Sequence, residues 1–492
     1  MSKVKENFLY ILVISFAILI GITLTIYQVV DYDFWWHVKT GEYILNIKQI
    51  PYTDIFSWYG IQNNLKWIAH EWLSDVIFAL LNNITYSKAF IFFPPLMFML
   101  VFFFSLKDSR EKIKESPYIC LIWIIIYTIT VACFSSHRPM MFSLLFFSLT
   151  IYIVNKHLNS DTKIIWFLPF ISTLWVNLHG GSSSLLFVVI IMSIICNLFN
   201  FKYAKIISQK TEKKKITTLL SVLIASILSS LINPYTYKIL LYPASNMLDT
   251  TMIENITEWQ SPNFHNPLGI IIFICLVFVF CCLIITKKDI KIFDLLTIVA
   301  FAYLSLKSAR LAPYFAIAAN PVVIKYIEPL DLSKIKFIKY IKNITNNILV
   351  IMIISLLFIS VFNIAQIWSK PLNPEKNFPV DAIPVIEKYA PKKMLNEYDW
   401  GGFLIWELHD KGINVFIDGR ADIFSKVTMK DYVNILKMKE NYEELIDKYD
   451  FDAIFLSKNQ PLTKVVAFSK DWKKVYEDNL SIFFIKEGEG VK

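Results

Sequence analysis

Long apolar runs recur along the chain and are separated by short polar segments. Eleven runs are long enough to cross about 30 Å of hydrocarbon as helices, and they occupy residues 8–28, 87–106, 118–135, 140–155, 163–178, 183–200, 216–233, 268–286, 291–306, 310–328 and 347–367. This pattern predicts a polytopic α-helical membrane protein with about eleven transmembrane helices. The run over 72–82 is too short to cross, and it predicts an amphipathic helix at the membrane interface.

Composition agrees with this pattern and narrows the class of protein. Of the 492 residues, 55% are hydrophobic and only 18% are charged, which excludes an ordinary soluble domain. The net charge of +9 does not indicate nucleic-acid binding, because the lysines fall in short clusters between apolar runs. The surroundings are therefore predicted to be a lipid bilayer. The first apolar run has no small-residue cleavage site after it, and we expect an uncleaved anchor.

Basic residues are distributed unequally between alternate loops, which predicts the orientation in the cell membrane. The N terminus and the lysine-rich loops are expected to be cytoplasmic, and these loops include residues 107–114, 202–215, 287–291 and 325–342. The opposite, external face then receives the first loop, residues 31–72, and several shorter polar segments. With eleven spans, the chain after residue 370 is external as well.

The composition changes near residue 370, where prolines become frequent. After them, short apolar segments predict strands at 393–395, 403–408, 415–417, 452–456 and 481–485, and a helix is predicted over 430–449. We predict two domains: a transmembrane domain over 1–369, which includes the first external loop, and a small extracytoplasmic α/β domain over 370–492. The C-terminal domain has no glycine-rich nucleotide-binding motif.

The first external loop contains two acids at close spacing, Asp31 and Asp33. In an extended segment their carboxylates project to the same side. Both carboxylates could bind a divalent cation such as Mg²⁺ or Mn²⁺, which prefers oxygen ligands. One of them could instead be a general base that deprotonates an acceptor hydroxyl, or the two could form a solvated turn after the first helix. The residue types leave these three interpretations open, and no other cofactor is expected.

Aromatic and imidazole side chains flank these acids. Tryptophans anchor chains at membrane interfaces, but they also stack on sugar faces or line the opening of a lipid site. Glu71 is either a further ligand of metal or acceptor, or an acid favoured at a helix start. The other residues of this loop that we predict to bind substrate are Trp35, Trp36, His37 and His70.

Basic residues are scarce in the predicted external loops, which makes them candidates for binding an anion. Arginine forms bidentate contacts with phosphate, and a phosphate at a membrane surface suggests a lipid phosphate. The alternative for these basic residues is contact with lipid headgroups, and for Glu258 it is the capping of a re-entrant segment. The residues predicted to bind donor or acceptor in these loops are Arg138, His179, Glu258, Lys307 and Arg310.

The C-terminal domain contains a turn rich in charge after a short apolar run. Asp418, Arg420 and Asp422 follow that run, at a position where α/β domains often place binding residues. They predict an accessory site for acceptor recognition. The glycine of this segment also permits a tight turn of the main chain.

Several of these segments resemble one group of membrane proteins. The segments are Asp31-Tyr-Asp-Phe-Trp-Trp-His37, Trp67-Ile-Ala-His-Glu-Trp72, Trp175-Val-Asn-Leu-His-Gly180, Glu258-Trp-Gln-Ser-Pro262 and Phe416-Ile-Asp-Gly-Arg-Ala-Asp422. They resemble motifs of uncharacterised prokaryotic membrane proteins, and this resemblance covers nearly the whole chain. Those proteins are similar to the GT-C superfamily of glycosyltransferases, which includes protein mannosyltransferases and the lipid A aminoarabinose transferase. The similarity to GT-C enzymes rests on the acidic first loop and the layout of the spans.

The resemblance implies inverting transfer of a sugar from a polyprenyl-phosphate donor to a glycan, lipid or protein acceptor on the external face. It implies that Asp31 or Asp33 is the base or metal ligand, that Glu71 is a second acid, and that the external arginines bind the donor phosphate. Asp54 is an alternative functional acid.

Two other functions compete with sugar transfer. The first is a transporter, flippase or polymer-export component, and the second is a membrane-anchored binding module. A transporter should carry ionisable groups at mid-membrane depth, whereas here the charges cluster at one face. A binding module would not need eleven spans.

Overall fold

The chain is mostly helical and divides into two compact units. A computed structural model describes residues 3–27, 29, 31–85, 88–160, 162–247, 256–329, 336–369, 378–420, 422–424 and 426–487. The first unit comprises residues 1–27, 90–243 and 256–369, and the second comprises 28–89, 244–255 and 370–492. The polar first loop and the C-terminal segment therefore belong to one unit.

The first unit consists mainly of apolar helices. A helix lies over each of the eleven apolar runs, and these helices are Lys3–Thr25, Phe93–Leu106, Pro117–Ala132, Met140–Asn159, Leu168–Leu178, Leu185–Cys196, Lys213–Ser230, Pro267–Ile285, Ile292–Lys307, Ala312–Tyr326 and Lys336–Ser369. Shorter elements along this part of the chain are the helices Arg110–Glu115 and Lys238–Met247 and the 3₁₀ turns Lys88–Phe92, Lys163–Phe167, Gly180–Ser182, Thr257–Trp259 and Ala309–Leu311.

Five helices in the described part of the chain are long and apolar enough to cross a membrane. They are Asn7–Thr25, Lys88–Leu106, Met140–Asn159, Pro267–Ile285 and Asn347–Ser369. Further apolar helices have only 10–17 residues. The class of helical membrane protein is thus supported, and the number of eleven spans stays a prediction.

Local sequence explains where these helices begin. Proline lies in the first turn of the helices that start at Phe93, Pro117, Leu168 and Ala312, where its missing N–H costs no helical hydrogen bond. The helix Pro267–Ile285 adds a side-chain cap, because the Asn266 side chain accepts a hydrogen bond of 2.8 Å from the Gly269 N–H.

A small sheet also belongs to the first unit. Strands β1 (Phe201–Tyr203) and β2 (Ile206–Ser208) form an antiparallel hairpin, and β3 (Ile290–Lys291) pairs in parallel with β2. The Ser208 hydroxyl donates to the Phe199 carbonyl at 2.8 Å. The sheet therefore holds the chain that enters the helix Ile292–Lys307 against the hairpin.

The second unit begins with two helices of the first loop, Phe34–Ile47 and Trp72–Thr85. They pack closely because Gly41 lies at their contact: a Cβ on Gly41 would be 1.9 Å from the Asp75 carbonyl oxygen. The short helix Trp58–Gln62 lies between them in sequence. The helix predicted over 72–82 is confirmed as a helix.

The C-terminal part of this unit is an α/β fold with a four-stranded sheet in the order β4-β5-β7-β6. The strands are β4 (Met394–Asn396), β5 (Ala453–Ser457), β6 (Trp472–Glu477) and β7 (Ser481–Lys486). Strands β4 and β5 are parallel, and the other pairs are antiparallel. Its helices are Ile383–Tyr389, Gly401–Leu408, Lys426–Leu436, Tyr442–Tyr449 and Pro461–Val466, and its 3₁₀ turns are Val380–Ala382, Tyr398–Trp400 and His409–Lys411.

Three of the strands predicted for this domain are confirmed, and two segments differ. Residues 403–408 form a helix and not the predicted strand. The prediction failed because a short apolar run that is buried on most sides has no polar–apolar period that separates strand from helix. Residues 415–417 form no strand, and Val415 makes only an isolated bridge to Ser57. The single helix predicted over 430–449 is two helices with a break between Leu436 and Tyr442.

Aromatic side chains join the first loop to this domain inside the second unit. Trp58 stacks on Phe416 with ring centroids 5.2 Å apart, and its indole N–H donates to the Met394 carbonyl at 3.2 Å. Trp35 is buried against Phe403 with centroids 5.9 Å apart. The loop and the C-terminal domain therefore share one core, and Trp35 packs in that core.

Candidate functional site

The two acids at the start of the first loop lie in a fixed relation to each other. Asp33 precedes the helix Phe34–Ile47, but its side chain does not cap that helix. Instead its Oδ1 accepts a hydrogen bond of 3.2 Å from the Trp36 indole N–H. Asp31 Oδ1 accepts from the Asp33 main-chain N–H at 3.0 Å. Both acids are half-buried, so they remain within reach of a ligand.

Glycine residues of the C-terminal domain lie directly against this segment. A Cβ on Gly419 would be 1.8 Å from Asp33 Oδ1 and 3.3 Å from the Trp36 indole nitrogen. A Cβ on Gly402 would be 2.4 Å from the Tyr32 carbonyl oxygen. Only glycine at these positions lets the domain approach the acids so closely.

A second polar group is buried between the two loop helices. His37 Nδ1 and Asp75 Oδ1 are hydrogen bonded at 2.7 Å. On the other side of the ring, His37 Nε2 is 3.8 Å from Glu71 Oε2, and Glu71 Oε1 is 3.8 Å from His70 Nε2. The Trp36 and His37 rings have centroids 3.6 Å apart. The Glu71 carboxylate therefore lies between two imidazoles.

Asp75 is the residue of this group that sequence reasoning missed. Burial raises the pKa of Asp75 well above its ordinary value, the charge of Glu71 raises it further, and Arg420 opposes both effects. Its Oδ2 has no hydrogen-bond partner among the described residues. A signal was present, since Asp75 follows Glu71 by four residues on a helix and shares its face.

This arrangement orients His37 for chemistry at its second nitrogen. A buried carboxylate that hydrogen bonds one ring nitrogen fixes the plane of the imidazole. The other nitrogen, which faces Glu71, can then exchange a proton with that acid or help to bind a cation. Glu71 itself lies at the start of the helix Trp72–Thr85, where the helix dipole favours its negative charge.

A buried ion cluster of Asp54, Asp418 and Arg420 connects the first loop to the C-terminal domain. Arg420 donates to both oxygens of Asp418, at 2.7 Å and 2.6 Å, and its Nη1 lies 2.9 Å from Asp54 Oδ1. The guanidinium also lies over the rings of Phe56 and Trp67, 5.0 Å and 4.6 Å from their centroids. The two acids raise the pKa of Arg420 although burial lowers it, so the side chain stays charged.

The predicted accessory residues occupy this cluster. Asp418 and Arg420 expose 0% and 2% of their surface, and Asp54, the alternative functional acid, exposes 3%. Asp422 is half-buried just beyond the cluster. These contacts are those of a structural ion cluster, while acceptor recognition by these residues stays a prediction.

Three of the residues predicted to lie in the external loops meet in the first unit. Arg138 Nη1 donates to Glu258 Oε2 at 3.1 Å, and Arg310 Nη1 lies 4.0 Å from the same oxygen. The Arg310 guanidinium lies 5.5 Å from the centroid of the Trp259 ring. Burial raises the pKa of Glu258, but the two arginines outweigh it and lower the value. The group therefore carries one excess positive charge.

Lys307 and His179, the other two predicted residues of this unit, lie apart from these arginine contacts. Lys307 is exposed and has no ion-pair partner in the part of the chain that the structure describes. His179 is buried, and its Nδ1 is hydrogen bonded to the Ser143 hydroxyl at 2.6 Å. That hydroxyl also accepts from the Trp175 indole N–H at 2.6 Å. His179 is therefore held by a hydrogen bond at the end of the helix Leu168–Leu178.

Because His137, the neighbour of Arg138, is buried, we predict that the stability of the folded chain depends on pH. Burial lowers its pKa to about 3, although a hydrogen bond with the Phe90 main chain raises it. The unfolded chain binds this proton below about pH 6.5, whereas the folded chain does not until about pH 3. The free energy of unfolding should therefore fall by up to about 1.4 kcal/mol per pH unit as the pH drops below about 6.

The measurement is thermal unfolding of detergent-solubilised protein between pH 7 and pH 5. We expect a smaller fall in Tm for His137→Gln than for the unchanged chain. His265→Gln serves as the control, because that histidine is exposed. Equal pH slopes for the two variants would contradict the prediction.

Comparison with known proteins supports the fold. No protein-family model and no curated protein matches the chain. The apo oligosaccharyltransferase of Archaeoglobus fulgidus matches with a TM-score of 0.54 and 10% identity over 100% of this chain and 75% of that chain. The archaeal oligosaccharyltransferase AglB from the same organism, in complex with an inhibitory peptide and a dolichol-phosphate, matches with a TM-score of 0.50 and 9% identity over 100% of this chain and 75% of that chain.

A third structure of the Archaeoglobus fulgidus enzyme is tethered to an acceptor peptide containing the NVT sequon. It matches with a TM-score of 0.50 and 10% identity over 93% of this chain and 69% of that chain. At such low identity these matches show a shared fold. The described chain therefore shares the fold of these archaeal oligosaccharyltransferase structures.

Proposed function

We propose that this protein is a membrane glycosyltransferase that moves a sugar from a polyprenyl-phosphate donor to an extracytoplasmic acceptor. The observation that carries the proposal is the group of half-buried and buried acids and histidines in the first loop of a chain with an oligosaccharyltransferase fold. One structure with this fold contains a dolichol-phosphate, and another is tethered to an acceptor peptide. By analogy, the donor is lipid-linked and the acceptor is a glycan, lipid or peptide.

The proposed reaction is an inverting displacement at the anomeric carbon of the sugar. The acceptor oxygen or nitrogen forms a bond to that carbon, the bond to the lipid phosphate breaks, and the acceptor proton passes to a carboxylate. Asp31 or Asp33 is proposed as this base, with Trp36 holding Asp33 in place. Glu71, oriented beside His37, is the second acid.

The departing lipid phosphate needs positive charge, because its own charge develops as the bond breaks. We propose that Arg138 and Arg310 supply it. Glu258 lies beside both guanidinium groups, and the excess positive charge of the group leaves it able to bind an anion.

A divalent cation fits the donor atoms of the first loop. Glu71 Oε1 and His70 Nε2 are 3.8 Å apart, close to the separation of about 3–3.5 Å expected of two ligands on one ion. Asp31 and Asp33 stay the alternative metal ligands that the sequence predicts. A set that includes imidazole suits Mn²⁺ better than Mg²⁺, which prefers oxygen ligands alone. When bound, such a cation would act as a Lewis acid that stabilises negative charge on a bound oxygen.

The orientation belongs to the same proposal. The N terminus is placed in the cytoplasm, and the loop 31–72 and residues 370–492 are placed outside the cell membrane. The support for this orientation is the bias of lysines toward one set of loops.

Incubation of the purified chain with a radiolabelled polyprenyl-phosphate sugar and a mixture of glycan, lipid and peptide acceptors tests the function. We expect label in an acceptor and release of polyprenyl phosphate. Reconstitution of the chain in vesicles tests the alternative function. Movement of intact lipid-linked sugar across the bilayer, without transfer of the sugar, would contradict the proposal and favour a flippase.

Arg138→Gln and Arg310→Gln are each expected to raise the donor KM by about 10–100-fold with a smaller change in kcat, since each removes one charged contact to phosphate. Arg110→Gln removes an exposed arginine that is not in this group and serves as the control. Unchanged KM values in both variants would exclude the arginines from donor binding.

A further inference from the structure

A cavity of about 640 Å³ lies within the first unit. Its walls come from the helices Phe93–Leu106, Met140–Asn159, Ile292–Lys307 and Ala312–Tyr326 and from the segment after strand β2. The volume is within the range of about 300–1,000 Å³ found for small-molecule sites. None of the residues discussed in the proposed transfer lines it.

The charged residues that line this cavity are mostly lysines. Two acids lie among them, and both are already paired: Asp108 with Lys156 at 3.1 Å, and Asp294 with Lys325 at 2.5 Å. The Tyr326 hydroxyl also donates to Asp294 at 2.8 Å. The five lining lysines are Lys112, Lys156, Lys210, Lys291 and Lys325.

Lys210 and Lys291 form no ion pair in the described part of the chain, although the charge of Asp294 acts on Lys291 from a longer distance. Lys291 Nζ donates only to the Asn159 side chain, at 3.4 Å. Lys112 pairs with Glu115, which does not line the cavity. Like charges gathered around one space repel each other, and an anion placed in it removes that repulsion. The lining therefore favours an anionic ligand.

The remaining lining residues make the cavity amphipathic. Phe104, Ile151, Tyr152 and Ile317 form apolar walls, and Asn155 and Thr211 add neutral hydrogen-bonding groups. A phosphate ester with attached hydrocarbon matches both kinds of surface, because its oxygens accept from lysine and amide donors and its chains contact the apolar wall.

We propose that this cavity binds the phosphate group of an anionic phospholipid, with Lys210 and Lys291 as the main contacts. Basic pockets between membrane helices are sites of this kind. The lysines belong to the loops predicted to be cytoplasmic, so the lipid would come from the inner leaflet. The inference does not depend on the proposed sugar transfer.

Native mass spectrometry of the full-length chain in neutral detergent, titrated with short-chain phosphatidylglycerol or phosphatidylcholine, tests the proposal. We expect phosphatidylglycerol to bind at least about tenfold more tightly than phosphatidylcholine. The variant Lys210→Ala/Lys291→Ala should lose at least about tenfold in affinity for phosphatidylglycerol, and its Tm without lipid reports on folding.

The matched control is Lys213→Ala/Lys287→Ala, which removes the same charge from exposed positions that do not line the cavity. It should change the affinity less than about twofold. Equal weakening by both double variants, or equal binding of the two lipids, would overturn the proposal. Glycerol phosphate, which carries a phosphate group but no acyl chains, tests whether the ligand is a lipid. If it binds as tightly as phosphatidylglycerol, the proposal that the phosphate belongs to a lipid is wrong.

Discussion

Replacement of Arg420 by methionine is expected to lower the free energy of unfolding of the second unit by about 3–5 kcal/mol. Arg420 is the counter-charge of Asp54 and Asp418, and all three side chains are almost completely buried. Without the guanidinium, two carboxylates would face each other in a medium that solvates neither. Thermal denaturation and limited proteolysis in detergent measure the effect.

An exposed ion pair of the same domain provides the control for Arg420→Met. Lys458 pairs with Glu477 at 2.7 Å, but its side chain is 46% exposed. Lys458→Met should therefore cost less than about 1 kcal/mol. Neutralising the whole cluster with Asp54→Asn, Asp418→Asn and Arg420→Met together should recover part of the loss. Equal stability of Arg420→Met and Lys458→Met would show that the buried cluster is not a structural requirement.

Substitution of the proposed catalytic acids should lower the kcat of sugar transfer by about 10²–10⁴-fold. The informative variants are Asp31→Asn, Asp33→Asn and Glu71→Gln, because an amide keeps the size of the carboxylate but cannot take a proton. In Asp33→Asn the side-chain amide oxygen can still accept from the Trp36 indole N–H, so the helix start should be preserved. Transfer of label from the polyprenyl-phosphate sugar gives the rate, and Tm confirms folding.

Glu42→Gln is the matched control for these variants. Glu42 lies on the same loop helix, and its carboxylate pairs with Lys39 at 3.3 Å, away from the proposed chemistry. Its kcat should stay within about threefold of the unchanged chain. If the three acid variants all retain full activity, the assignment of the site is wrong. If activity is lost, the variant with the greatest loss of kcat identifies the base.

Much of the membrane part of the fold could be predicted because its signal is local. Each apolar run carries its own preference for a helix, and proline or asparagine at its start marks the boundary, as at Asn266 and Pro267. The crossing count could not be obtained in the same way, because the helices over several runs are shorter than a full span.

The contacts of the first loop could not be predicted, since they depend on residues far away in the sequence. Asp54, Asp418 and Arg420 each suggested a binding site in isolation, and nothing local indicated that their charges meet. The prediction of a strand over 403–408 is wrong for a related reason. Distant elements bury this short run on most sides, so its sequence lacks the polar–apolar period that distinguishes a helix from a strand. Asp31, Asp33 and His37 could be selected as candidates because they lie within seven residues of one another, and Glu71 because it follows His70 in the same loop; their role in catalysis stays a prediction.

The shared core of the first loop and the C-terminal domain has a consequence for synthesis of the protein. Lys39 and Asp410, which are paired in the second unit, are 371 residues apart in the sequence. At about 5–20 residues per second, the loop would wait roughly 20–70 s on the ribosome before its partner emerges. During that time its tryptophans are uncovered, so a truncated chain that stops before residue 378 should be a substrate for chaperones and membrane proteases.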